Sequence, residues 1–300
     1  MRALIIPSLL LLAACELRSD AEDWSAWYDE GVAYDVQEPL SFTTENYGLP
    51  RSGEGLTPIA DLQNATIPES YGTRIAAADY GAHLASCGWD ATPNLPAVIE
   101  GVVTAHPRMY FKAIGCTPDS DPSNNDEKYY GSFFIEDDSG GIFVLGDSKV
   151  AHFDMGDTVR MTVRGVRRDY GLNMVYVHDV DLIERNAAPI KYVEATRPLS
   201  DADLGEVRRV TGTIVSEPTT FGDLILDLDG YGGCTTENES ADSDEFDDDC
   251  IVVSVDMELS GRGVTFTPGE RVTLTGPVTY TFRHHRVVIT RVGQIERHTD

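Results

Sequence analysis

Five strand-like segments recur in the same order in two later parts of this 300-residue chain. Ile99-Glu-Gly-Val-Val-Thr-Ala opens one unit, and Val210-Thr-Gly-Thr-Ile-Val-Ser opens the other. Gly131-Ser-Phe-Phe-Ile-Glu-Asp-Asp is echoed by Gly222-Asp-Leu-Ile-Leu-Asp-Leu-Asp, and Ile142-Phe-Val by Ile251-Val-Val. Phe153-Asp-Met-Gly-Asp-Thr-Val is echoed by Phe266-Thr-Pro-Gly-Glu-Arg-Val, and Asn173-Met-Val-Tyr-Val by Arg286-Val-Val-Ile-Thr. Gly101 and Gly212 lie 111 residues apart, and so do Gly165 and Gly276. Matching order with equal outer spacing is the signature of a tandem duplication.

The offset between copies falls to 91 at Gly131 and Gly222 and rises to 109 at Ile142 and Ile251. Each copy therefore carries its own polar insertion, over 106–130 in the first and 230–250 in the second. Insertions at strand junctions suit a barrel, whose loops lie at its ends. Five short strands per copy, the first centred on a glycine, predict an all-β chain of two tandem five-stranded barrels. The expected type is the OB-fold, a small, partly open Greek-key barrel. The first copy's Phe134-Ile-Glu-Asp-Asp-Ser-Gly-Gly-Ile-Phe-Val run, followed by its Phe153-x-x-Gly-Asp turn, resembles the OB-fold domains of secreted bacterial proteins, including those found beside extracellular nucleases. The resemblance spans roughly residues 96–185 and, more loosely, 206–298. It implies a fold more firmly than a ligand.

The opening MRALIIPSLLLLAAC combines a charged Arg2, an apolar Leu4 to Leu12 core and small residues. It is an export signal, too short to span a bilayer. Leu12-Ala-Ala-Cys15 resembles the lipobox of bacterial lipoproteins, which implies a Cys15 carrying acyl chains and an anchor in the cell envelope, at the outer membrane or cell surface more than the inner membrane. Residues 16 to about 55 are acidic, polar and rich in Gly, Ser and Thr, and read as a flexible acidic tether. One short helix is expected at Ala21–Glu30, where Trp24, Trp27 and Tyr28 share a face. The expected boundaries are 1–15 for the signal and lipidated cysteine, 16–95 for the tether and an irregular lead-in, 96–187 for the first barrel and 188–300 for the second.

Setting Cys15 aside leaves Cys87, Cys116, Cys234 and Cys250. An even number in an exported chain reads as two disulfides. Three pairings are open, and sequence proximity favours Cys87–Cys116 and Cys234–Cys250. No C-x-x-C pair or adjacent His supports zinc instead.

Three stretches could carry chemistry. Glu136-Asp137-Asp138 precedes Ser139-Gly-Gly, which is turn chemistry, and no His stands near it, so it reads as a hairpin turn rather than an acid/base pair. In a strand, Glu136 and Asp138 would share one face and Asp137 the other. The second insertion, Thr236 to Cys250, holds the densest run of carboxylates. Asp242, Asp244, Asp247, Asp248 and Asp249 are candidate calcium ligands, because a cation with six to eight oxygen ligands would relieve their repulsion. The competing reading is a solvated acidic loop, and the EF-hand spacing is absent.

The third stretch is the pair of hairpins between the last two strands of each copy. Arg167, Arg168 and Tyr170 occupy one; Tyr280, Phe282, Arg283, His284 and Arg286 occupy the other. OB-folds meet ligands through this loop and through the face of strands two and three. Aromatic rings with nearby cations suit base or sugar stacking and phosphate contacts. The outward faces of Phe134 and Phe143 are expected to extend that surface.

Net charge weighs on the ligand class. Fifty acids against 23 bases give −27, which disfavours nucleic acid. No hydrolase, metalloprotease, P-loop or dinucleotide motif occurs, and the seven histidines are scattered. The expectation is therefore an exported, lipid-anchored, non-enzymatic binding or scaffold protein, without a cofactor unless calcium. Its partners would be a membrane, through the anchor, and an extracytoplasmic oligosaccharide, single-stranded nucleic acid or protein. The alternatives are a calcium-stabilised structural or assembly lipoprotein and an accessory subunit of a secreted nuclease.

Overall fold

Runs of β-branched and aromatic residues, broken by Gly, Asp and Pro, leave little sequence for helix, and the chain folds accordingly. The computed structural model describes residues 40–45, 55–66, 69–71, 97–114, 127–147, 153–169, 172–185, 189–219, 222–231, 234, 250–256, 259–260, 263–281 and 284–298. In chain order the elements are β1 (Phe42–Thr43), α1 (Ile59–Gln63), β2 (Glu69–Tyr71), β3 (Ala97–Ile114), β4 (Glu127–Glu136), β5 (Gly141–Asp147), β6 (Thr158–Asp169), β7 (Leu172–Glu184), β8 (Ile190–Lys191) and β9 (Val193–Glu194). They continue with β10 (Val207–Ile214), β11 (Asp223–Leu228), β12 (Cys250–Val255), β13 (Arg271–Thr281), β14 (His284–Ile289) and β15 (Ile295–Arg297). The first expected strand of each copy is β3 or β10, and the other four pairs follow in the same order.

Both copies close in the same way. In barrel one β3 pairs with β4, β4 with β5, β5 with β7, β7 with β6, and β6 returns to β3. In barrel two the circuit is β10, β11, β12, β14, β13 and back to β10. In each circuit only the third and fifth strands run parallel. That strand order is the OB-type Greek key, so the chain is all-β with two five-stranded barrels.

The repeated glycine has a steric reason. The first strand passes close over the end of the second. A Cβ at Gly101 would lie 3.0 Å from the Glu136 carbonyl oxygen, and one at Gly212 would run into the Asp227 carbonyl. Each interior is filled by alternate residues of every strand. Ile99, Phe133, Ile135, Ile142, Val144 and Val159 fill the first, and Val210, Leu224, Leu226, Ile251, Val253 and Leu274 the second.

The stretch before the barrels is built into them more than a tether would be. Leu40 and Phe42 pack on Val102, Met155, Ile190 and Val207, while β1 pairs with β8. α1 sends Ile59 and Leu62 into the core of barrel one. Asn173, fully buried on β7, donates from its Nδ2 to the carbonyls of Leu62, Gln63 and Ala65, and so ties the end of α1 to the barrel. The apolar residues Leu40, Phe42, Ile59 and Leu62 are the reason: within a polar stretch, each gains by leaving water. The helix expected at Ala21–Glu30 and the Cys15 signal lie outside the described residues.

The two insertions differ in structure. The first lengthens strands, since β3 has 18 residues against 8 in β10 and its pairing with β4 runs out to Ile114 and Glu127. The second lies between β11 and β12, and its ends are clamped by a Cys234–Cys250 disulfide with Cα atoms 5.0 Å apart. Cys87 and Cys116 lie outside the described residues. In the chain-entropy account a bridge around such a loop contributes on the order of 3 kcal/mol. The double substitution Cys234→Ala/Cys250→Ala is therefore expected to lower the unfolding free energy in urea by about 3 kcal/mol.

Candidate functional site

The expected binding surface of barrel one, the outward side of β4 and β5, is covered by barrel two. Phe134 and Phe143 meet edge to face with ring centroids 4.9 Å apart, yet they are only 2% and 6% exposed. Ala105, Leu145, Met174 and Tyr176 continue their side of the contact, and Leu204, Val278 and Val288 of the second copy close it, with Tyr280 at its margin. The two phenylalanines are seam residues, which corrects the expectation that they offer an open stacking face. A cavity of about 20 Å³ remains between them and Thr279, Val288 and Thr290, room for about one water.

The signal for this was present in the sequence. A strand with one wet face alternates apolar and polar residues, whereas one buried on both faces reads as a continuous apolar run. Phe133-Phe134-Ile135 and Ile142-Phe143-Val144-Leu145 are such runs, and all seven side chains are buried.

The corresponding side of barrel two is also occupied. Ile225 and Cys250 pack there with Val215 and Cys234, beneath the disulfide. Next to them Arg286, 2% exposed, forms an ion pair with buried Asp223 and donates through Nε to the Thr281 carbonyl at 3.1 Å. His284 is buried as well, at 8%. Arg286 and His284 are therefore internal residues, where an exposed basic hairpin was expected. The fifth strand turns its outward row, Arg286, Val288 and Thr290, toward β11 and the seam.

Of the remaining hairpin residues, Tyr280 is half-buried and lies 4.8 Å from the ring of His285, whose Nε2 is 2.9 Å from the Asp201 carboxylate. Arg168 donates to the Asn173 side chain at 3.0 Å. Arg167 lies in β6 opposite Met174. Tyr170, Phe282, Arg283 and the five aspartates at 242, 244, 247, 248 and 249 lie outside the described residues, as does the side chain of Arg167. Among the described residues no three His, Cys, Asp or Glu side chains converge as metal ligands.

The acidic triplet is split three ways. β4 ends at Glu136, so strand alternation stops there. Asp138 is exposed. Asp137 turns toward α1, accepting from the Ile59 N–H at 3.0 Å and, through its other oxygen, from the N–H groups of Ser139 and Gly140. Glu136 turns toward barrel two. Burial pushes its carboxyl up to about 8, against a lowering by Lys191 and raising by Glu206 and Asp137.

Two further contacts missed by sequence reasoning join the barrels. Gly141 and Gly205 touch backbone to backbone, so that a Cβ on either would run into the other's carbonyl. Arg291 of barrel two pairs with Asp154 of barrel one, and burial still raises the Asp154 carboxyl above its ordinary range. Beside the seam, Asp203 accepts from Ser200, Arg197 and Arg208. Burial alone would raise Asp203, but the Arg197 and Ser200 hydrogen bonds and the Arg208 charge outweigh it and hold it low. No pattern at Gly205 or Asp203 in the sequence announces these roles.

Most of the arginines whose side chains are described are committed to acids; Arg168 is bonded to Asn173 instead. Arg160 pairs with Glu100, Arg185 with Asp157, Arg209 with Glu296, Arg271 with Asp229 and Arg297 with Glu270, in addition to the pairs above. A phosphate ligand would have to compete with each of these partners.

Gly205 tests the seam directly. It has φ of 81° and no space for a side chain. Gly205→Ala is expected to cost about 1–3 kcal/mol from backbone strain alone, and more once the Gly141 contact is pushed apart. The variant should melt at lower temperature and scatter X-rays with a larger radius of gyration than the parent.

No family model matches the sequence, and no curated protein matches it. Among solved structures the chain is similar to the second OB-fold domain of replication protein A from Methanococcus maripaludis, at 22% identity over 31% of this chain and 88% of that one, with a TM-score of 0.23. It is similar to the single-stranded DNA binding protein of Thermus aquaticus at 14% identity over 68% and 92%, with a TM-score of 0.19. It is also similar to a murine DNA binding protein bound with double-stranded DNA, at 11% identity over 68% and 97%, with a TM-score of 0.27. Values this low carry no argument about ligand, and the assignment of two OB-type barrels rests on the strand order of each circuit.

Proposed function

We propose that this chain is an exported, lipid-anchored, non-enzymatic binding or scaffold protein of the bacterial cell envelope, and that its partner is a protein or an oligosaccharide rather than nucleic acid. One observation supports the partner class above others. The β4–β5 face of barrel one, with its paired phenylalanines, is filled by barrel two, so the stacking platform that single strands need is not on the surface. The pairing of the arginines with carboxylates and the net charge of −27 point the same way. The anchor rests on the Leu12-Ala-Ala-Cys15 resemblance alone.

Fluorescence anisotropy of a labelled single-stranded oligonucleotide with the full chain tests the partner class. At physiological salt the expected Kd is weaker than ~100 µM, at or beyond the weak end of non-specific binding. Micromolar binding that weakens steeply with salt would overturn this reading.

A second reading has its own observation. The Cys234–Cys250 disulfide brings together the ends of the insertion that holds Asp242, Asp244, Asp247, Asp248 and Asp249. A closed acidic loop loses less entropy on taking a hard cation than an open one, and oxygen ligands are what calcium takes. On this reading millimolar calcium raises the thermal midpoint of the chain, and changing the five aspartates to Asn removes the rise. A midpoint indifferent to calcium would discard it.

A further inference from the structure

Glu136 ends β4 where barrel one meets the entry to barrel two. It is 5% exposed, and its Oε2 has no hydrogen-bond partner. Its register partner on β3, Val102, lies in the seam cluster with Met155, Ile190 and Val207. Its register partner on β5 is Gly141, which touches Gly205 backbone to backbone. The charged groups around it come from each neighbouring element: Asp137 from its own turn, Lys191 from β8, Glu206 from the segment before β10, and Arg208 from β10. Arg208 is already engaged, 2.8 Å from Asp203 and 2.5 Å from Glu206.

A carboxylate with an unpartnered oxygen is costly in such a place, and a neutral carboxyl is much less so. The backbone contact between Gly141 and Gly205 closes the seam beside the carboxyl, and hydrating the charge there means parting that contact. We propose that Glu136 is a proton-operated latch: protonated, it lets barrel two stay closed over the Phe134–Phe143 face, and ionised, it drives the seam open and uncovers that face.

The direction follows from linkage. In the closed state the carboxyl sits at about 8, and in the open, hydrated state it returns to the ordinary 4.5. Between these values the closed state holds a proton that the open state has released. The opening constant therefore rises up to tenfold per pH unit from about 4.5 to 8 and levels off above 8. Asp154, with His106 and Arg291 beside it, titrates elsewhere along the seam, so the latch is read as the difference between two chains.

Hydrogen exchange of the full chain, followed by mass spectrometry from pH 5 to 9 and corrected for intrinsic rates, reads the opening in a peptide covering the amide of His106, which bonds Thr290 across the seam at 3.2 Å. The parent is expected to show a rise of about tenfold per unit that flattens near pH 8, and Glu136→Gln to lose that rise. A parent with no pH dependence, or a Glu136→Gln chain with the parent's full rise, would overturn the latch. Lys191→Met gives a second arm that leaves Glu136 in place. Removing a cation that lowers Glu136 moves the plateau to higher pH, and a plateau that stays put counts against the latch.

Discussion

The packing of Phe134 and Phe143 under Val278 and Val288 is the contact on which the rest of the architecture depends. Each barrel closes on its own hydrogen bonds, but a small five-stranded barrel has a limited interior and leaves apolar residues outside it. Barrel one has such residues on the outer side of β4, β5 and β7, and barrel two supplies Leu204, Val278 of β13 and Val288 of β14 to cover them. The tandem copies thus bury one another's second faces, a gain of about 25 cal/mol for each Å² of apolar surface removed from water. The Gly141–Gly205 contact and the Arg291–Asp154 pair join the barrels beside this packing.

That arrangement changes what an OB-type barrel can do. The β4–β5 face of barrel one has become an internal surface, and most of the arginines whose side chains are described are paired with carboxylates. In a chain with 27 more acids than bases, the positive charges stabilise the fold locally by answering nearby acids.

The strand ladder was legible because it is local. Alternation, turn residues and a recurring glycine each depend on a few neighbouring positions, and Gly101 and Gly212 recur because the same close crossing recurs in both barrels. The Cys234–Cys250 bridge was legible from proximity along the chain. The ligand residues were not. Arg286 reads as a basic hairpin residue, but Asp223 on β11 draws it inside, and nothing near either residue in the sequence links them. The packing of the stretch before the barrels was hidden for a similar reason: Leu40, Phe42, Ile59 and Leu62 are sparse among polar residues, and only the finished barrel gives them somewhere to go.

Glu136 and Asp227 mark the boundary between the two kinds of information. They occupy the same position in the repeat, facing Val102 and Thr213 of their first strands. Sequence alone determined that both belong to a second strand close to its turn, because alternation and turn chemistry are written in adjacent residues. Tertiary structure alone decided that Glu136 is sealed in a seam, with its carboxyl pushed up to about 8, while Asp227 stays partly exposed. Burial is set by what the other copy lays over a residue, and that covering comes from positions tens of residues away that the local pattern does not name.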